Sequence, residues 1–179
     1  MLIGHVIIND QSQVNNIYEN TISNQGQIQD LQKAVGGRYL LNYTLLPKLH
    51  DQIPYTELRI FCHKQWHTRT FHAKIQLVDS GGQQVYRYMS GDQSAFDYCN
   101  KTIEFLSDDT SMLSQEPCEN QKAILYYGKA GLYGHIIHKP NTYHVMLTSD
   151  GPSKRIECDD RFWETVGFSY VGQWKYFVR

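Results

Sequence analysis

The densest chemistry in this chain is HKQWHTRTFHAK, residues 63–74, where three cations are set among aromatic rings. Lys64, Arg69 and Lys74 stand beside Trp66, Phe71 and three histidines, His63, His67 and His72. Cations next to a tryptophan suit an anionic ligand with an apolar face, such as an acidic or sulfated sugar, and an arginine adds bidentate bonds to a carboxylate. His63, Lys64, Trp66, His67 and Arg69 are therefore the expected ligand-binding residues. Their histidines would strengthen such binding below about pH 6.5. The competing reading is a solvent-facing hairpin whose Trp66 and Phe71 belong to the core. A second candidate is YYGKAGLYGHIIHKPNTYH, residues 126–144, where Gly128, Gly131 and Gly134 permit tight turns between tyrosines. Tyrosine makes good contact surface, but it is an equally good strand former.

Catalytic chemistry finds little support. The chain has no GxSxG, no HExxH, no phosphate-binding glycine loop and no dinucleotide fingerprint. Nothing singles out one thiol as a nucleophile. Eight histidines raise the question of a metal. His63 and His67 are four apart and His135 and His138 three apart, but both regions read as strand or turn. In a strand, positions 135 and 138 face opposite sides. The pairs Asp108-Asp109 and Asp159-Asp160 lack EF-hand spacing and read as solvated turn residues. No metal and no cofactor is expected, and the chain reads as non-enzymatic.

Four cysteines, Cys62, Cys99, Cys118 and Cys158, are spread widely with no CxxC pair, so three pairings stay open. Two sequons, Asn42-Tyr43-Thr44 and Asn100-Lys101-Thr102, mark Asn42 and Asn100 as glycosylation candidates. Together they point to an oxidising, extracellular setting, with free buried thiols as the alternative. The net charge of −1 argues against a general nucleic-acid partner. No segment approaches the roughly 18 apolar residues of a membrane span, so no membrane insertion is expected. The start, MLIGHVIIND, lacks the basic region of a signal peptide. Either export uses another route or the chain is a piece of a longer one.

The elements that must position these residues divide the chain in two. Residues 1–37 carry a heptad row with Val14, Thr21, Ile28 and Val35 at a, and Ile17, Asn24 and Leu31 at d. Two apolar positions per heptad form the narrow seam of a coiled coil rather than the wider face of a docked helix. Asp10 is a credible N-cap and Gly36-Gly37 a stop. A helix over 11–35 would span roughly 37 Å. Thr21, Asn24 and Gly26 are its soft centre, and β-branched core positions favour a trimer. The alternative is a helix lying on its own domain. Residues 1–8 read as a short strand or the tail of a preceding element.

From 38 to 179 the period changes to 2. Strand-like runs lie at 39–46, 58–62, 71–77, 103–105, 123–127, 133–137, 143–147 and 155–158, and Asp79–Gly82 reads as a hairpin turn into a strand at 85–89. A final run over 166–178 places Val166, Phe168, Tyr170, Gly172, Trp174, Tyr176 and Val178 on one face. Gly172 marks a bulge or a close approach of another backbone. These runs predict a mainly β chain, an antiparallel jelly-roll-like sandwich preceded by a helical stalk.

The combined expectation is an extracellular, homotrimeric binding or adhesion module whose stalk presents heads to a glycan or a cell-surface or matrix protein. The alternative is a structural fibre component, including a viral or phage fibre tip, that makes protein contacts only. In architecture alone the arrangement resembles trimeric extracellular heads of the tumour-necrosis-factor type, and none of their signature residues can be placed in this chain.

Overall fold

A computed structural model describes residues 1–92, 103–115, 132–133, 137–138, 143–150, 153–161 and 169–179. Cys99, Asn100, Cys118, the run 123–127 and most of 126–144 lie outside the described residues. The chain is mostly antiparallel β-sheet with few helices. Strands β1 (Leu2–Ile8), β2 (Arg38–Leu40), β3 (Glu57–Lys64), β4 (Thr70–Gln76), β5 (Ile103–Phe105) and β9 (Gly172–Val178) form one sheet in the order β2-β1-β9-β3-β4-β5. Strands β6 (Ile137–His138), β7 (Tyr143–Asp150) and β8 (Ser153–Arg161) form a second, in the order β6-β7-β8.

The period-2 pattern of the last strand explains its central place. Gly172, Trp174, Tyr176 and Val178 are buried, while Gln173, Lys175 and Phe177 between them are half-exposed. Paired residues share a face, so the register carries burial across the sheet: Trp174 lies opposite Val6 and Cys62, and Tyr176 opposite Gly4 and Ile60. Trp174 also donates its indole N–H to the Glu157 carbonyl at 3.1 Å, tying β9 to β8 in the other sheet. Gly172 marks a close approach, as its position in the pattern implies: a Cβ there would sit 2.6 Å from the His63 carbonyl oxygen.

Residues 1–37 do not form a stalk helix. The helical part breaks into a turn at Gln11–Gln13, a short helix α1 (Val14–Ile17), a widened π-turn at Tyr18–Ile22 and a 3-10 segment at Ile28–Gly36. Val14, Ile17 and Thr21 are buried in the chain's own core together with Tyr18 and Ile22. Ile28 and Leu31 pack against that core, Asn24 is exposed, and Val35 is 80% exposed. Five of the seven residues assigned to oligomerisation are thus used in packing within the chain, and no coiled coil is shown.

The physical reason lies at Gly26. Its N–H donates to the Leu40 carbonyl at 2.7 Å and its carbonyl accepts from Asn42 N–H at 2.9 Å, so it lies along the sheet edge instead of continuing a helix. A Cβ there would meet the Tyr39 ring at 2.2 Å. An isolated helix this polar is marginal in water, and burial against the sheet decides the outcome. The capping signals hold locally. Asp10 accepts from Ser12 N–H at 2.7 Å, and Gly37, at φ +74°, ends the 3-10 segment in the left-handed conformation.

Two other segments depart from the strand reading. After Leu40 the chain turns through Tyr43–Leu45 into helix α2 (Leu46–Gln52), with Pro47 in its first turn. Asp79–Gly82 is not a hairpin turn but the start of helix α3 (Ser80–Met89), and Asp79 accepts from Gly82 N–H at 2.6 Å. Asp159 and Asp160, read as turn residues, lie in strand β8, which runs to Arg161.

His5, on β1, fixes the N-terminal segment to the sheet. The Ala34 carbonyl can only accept, so Nδ1 carries the proton and donates to it at 3.0 Å, and Nε2 accepts from the Gln173 amide at 2.7 Å. Burial lowers the pKa of this imidazole, and the Lys175 charge adds to that, against the bond to Ala34. Below about pH 6.5 the unfolded chain therefore takes up a proton that the folded chain refuses. Stability is complete above that range and falls as the pH drops through it towards the folded pKa. Urea unfolding should show this decline for the natural chain, and His5→Gln should flatten it. Parallel pH profiles for the two proteins would contradict the assignment.

Candidate functional site

Four of the five residues expected to bind ligand, Lys64, Trp66, His67 and Arg69, come together, but their cations meet acidic partners within the chain. Even positions of β3 face the core, so Lys64 follows Leu58, Ile60 and Cys62 into it and is fully buried. Its Nζ lies 2.5 Å from Asp160 Oδ2. Trp66 donates its indole N–H to the other oxygen, Oδ1, at 3.2 Å. Arg69 reaches Asp159 twice, Nε to Oδ2 at 2.5 Å and Nη2 to the main-chain carbonyl at 2.6 Å, and lies 5.1 Å from the Tyr143 ring centre.

His67 is tied to the main chain through both ring nitrogens. Its Nδ1 accepts from Arg69 N–H at 3.0 Å, so Nε2 carries the proton and donates to the Cys158 carbonyl at 2.9 Å. Lys64 is fully buried and Arg69 partly so, and each faces an acidic partner of the chain itself. Of the five, His63 lies on the opposite face of β3, with Nδ1 3.0 Å from Thr70 Oγ1.

Asp159 and Asp160, read from the sequence as solvated, are both buried. The β7–β8 register shifts between His144 and Val145, so Asp159 is the extra residue of a bulge, at φ +56°. The bulge aims the two carboxylates at different partners. Asp159 receives Met112 and Leu113 N–H at 2.9 and 3.2 Å at the start of the short helix α4 (Met112–Gln115), besides Arg69. Burial raises its pKa, against the opposing pull of those N–H groups and of Arg69. Burial works the same way on Asp160, but His67, Lys64 and the Cys158 N–H more than offset it and hold its pKa below the usual carboxylate value. The disulfide Cys62–Cys158 crosses between the sheets beside this cluster. The arrangement is a latch: each charge is used in joining β3 and β4 to β8.

On the other face of the large sheet, the residues of β9, β3 and β4 are half-exposed, while β1 is covered by the 3-10 segment. The register places His5, Lys175, Phe61 and His72 in one row across β1, β9, β3 and β4. The next row runs Phe177, Arg59, Lys74 and Glu104. Arg59, Phe61, His72, Asp108, Lys175 and Phe177 line a recess of about 310 Å³ on this face. Most of its polar groups have partners: Arg59 bonds Glu57, and His72 Nδ1 lies 2.7 Å from Asp108 Oδ1. Among the described residues Lys175 has no acidic partner. Its Nζ stands 5.6 Å from the Phe61 ring centre, and Phe61 meets the His72 ring edge-on at 5.4 Å.

Phe61, Lys175 and Phe177 are the recess residues that the motif-led reading did not single out. The signal was the second half of the last strand's alternation: with Trp174, Tyr176 and Val178 inward, Lys175 and Phe177 must look out. No family model, curated protein or solved structure matches the chain. Its function has to be argued from this chemistry.

Proposed function

We propose that the protein is a non-enzymatic extracellular binding module whose ligand surface is the half-exposed β9–β3–β4 face of the six-stranded sheet, the two sheets being packed as a sandwich. The ligand is an anionic glycan, acidic or sulfated. The observation that carries the reading is Lys175, a cation with no acidic partner among the described residues, placed between Phe61 and Phe177 in a recess that admits a sugar ring. A sulfate or carboxylate meets the ammonium while an apolar sugar face lies on the phenyl rings. The latch leaves this face free, because it consumes the cations on the other side of β3. The disulfide supports an oxidising compartment, since such bonds persist outside the cytosol. Among the described residues, no helix is long and apolar enough to cross a membrane.

A glycan array separates this reading from a purely structural role. Binding to sulfated or uronate-containing glycans is expected. Lys175→Glu should weaken it about tenfold or more, since a charge-assisted bond contributes roughly 1.5–3 kcal/mol. Phe61→Ala should weaken it too, and Lys48→Glu, on the exposed side of α2, should leave it unchanged. No binding to any glycan would favour the structural fibre component instead.

A further inference from the structure

We infer that Asn42 is an acceptor for an N-linked glycan in the folded protein. The inference rests on the reading of the chain as exported; its geometry does not. Asn42-Tyr43-Thr44 stands where the chain leaves the β2 edge and enters the helical segment Tyr43–Gln52. The backbone there is fixed, with Asn42 N–H donating to the Gly26 carbonyl at 2.9 Å. The side chain caps the segment: one of its terminal atoms receives both Thr44 N–H at 3.1 Å and the Thr44 hydroxyl at 2.8 Å. An amide N–H must meet an acceptor, so that atom is Oδ1, and Nδ2 is the atom left over. Nδ2 has no partner among the described residues. Asn42 is half-buried and Thr44 exposed.

The cap and the modification therefore use different atoms. Glycosylation forms the Nδ2–C1 bond, breaks the C1–O bond to the pyrophosphate of a lipid-linked oligosaccharide, and releases one Nδ2 proton with that leaving group. The product amide keeps its carbonyl oxygen, so the bonds from Thr44 survive and the fold accepts the glycan without losing the helix start. Asn42 also follows β2, separated by β1 from the β9–β3–β4 part of the sheet that carries the recess. A glycan at the β2 edge leaves that recess uncovered.

The test expresses residues 1–179 behind a secretory signal in a eukaryotic line, with Asn100→Gln in every arm to remove the other sequon. Peptide N-glycosidase turns an occupied asparagine into aspartate, and mass spectrometry reads the change on the peptide carrying residue 42. Most of the secreted, folded protein should show it; Thr44→Ser should retain it and Thr44→Ala should lose it. Asn42→Asp keeps Oδ1, so it should be secreted unmodified and melt where the enzymatically deglycosylated protein melts. An unoccupied Asn42 in secreted, folded protein, or occupancy that survives Thr44→Ala, would overturn the inference. If Asn42→Asp is not secreted, the two Thr44 variants decide alone. If Asn100→Gln prevents folding, peptide mapping of residue 42 in the natural chain and its Thr44 variants gives the same reading. Protein modified at residue 42 that binds no glycan on the array would count against the proposed function and leave this inference standing. Binding by protein unmodified at residue 42 would do the reverse.

Discussion

The double variant Cys62→Ala/Cys158→Ala is expected to lose about 4 kcal/mol of unfolding free energy. The two cysteines are 96 residues apart in sequence, and both are fully buried. On the chain-entropy account, a cross-link closing a 100-residue loop removes about 4.7 kcal/mol of freedom from the unfolded chain. The folded state loses little else, because alanine fits the space and the neighbouring Trp174 stays in register with position 62. A domain of this size has roughly 5–15 kcal/mol in total, so the variant should be close to unfolding at body temperature. The urea midpoint measures the loss. An unchanged midpoint would show that the bond constrains nothing, and the latch would then depend on charge alone.

The second large effect falls on Lys64. Lys64→Met should cost about 3–5 kcal/mol, the usual loss when one partner of a buried ion pair is removed and the other stays. Asp160 would keep Trp66 and the Cys158 N–H at 3.2 and 2.7 Å but lose its contact with the Lys64 ammonium. Adding Asp160→Leu should recover much of the loss, because the pair together contributes less than either half does when stranded.

The pH dependence gives an independent reading. In the natural chain the pKa of Asp160 is lowered, so its contribution is present above the unfolded carboxylate value and is lost as the pH falls through the folded one. Without Lys64, part of the pull that offsets burial is gone, so the folded pKa moves up from its natural position. Lys64→Met should then gain stability relative to the natural chain as the medium is acidified towards about pH 4. Asp159, raised by burial, pulls the same way in both proteins and drops out of the comparison. A Lys64→Met variant with natural stability and an unchanged pH profile would mean that the buried pair is not formed.

How much of this was legible beforehand depended on the range of the interaction. Strands whose alternation is local, such as 71–77 and 172–178, could be read directly because one buried face fixes their period. Helix α3 was missed because two glycines after Asp79 look like a hairpin turn. Yet Val85, Tyr88 and Met89 are all buried, at the i, i+3 and i+4 spacing of a helix. The heptad row misled for a related reason. Val14, Ile17, Tyr18, Thr21 and Ile22 follow the broader i, i+3, i+4, i+7, i+8 stripe of a docked helix, and counting only a and d positions leaves out Tyr18 and Ile22. The fate of Lys64 and Arg69 was out of reach locally. Their acidic partners lie 96 and 90 residues away, and only the fold brings those partners to them.

Ligand is proposed to bind on the outward face of β9 and β3, not at the aromatic loop of residues 64–69. Titrating isotope-labelled protein with a heparin-derived oligosaccharide, and following the backbone amide resonances, locates the contact directly. Saturable shifts at Phe61, His72, Lys175 and Phe177, lost in Lys175→Glu, are the expected result. Shifts confined to residues 64–69, or none anywhere, would contradict the account.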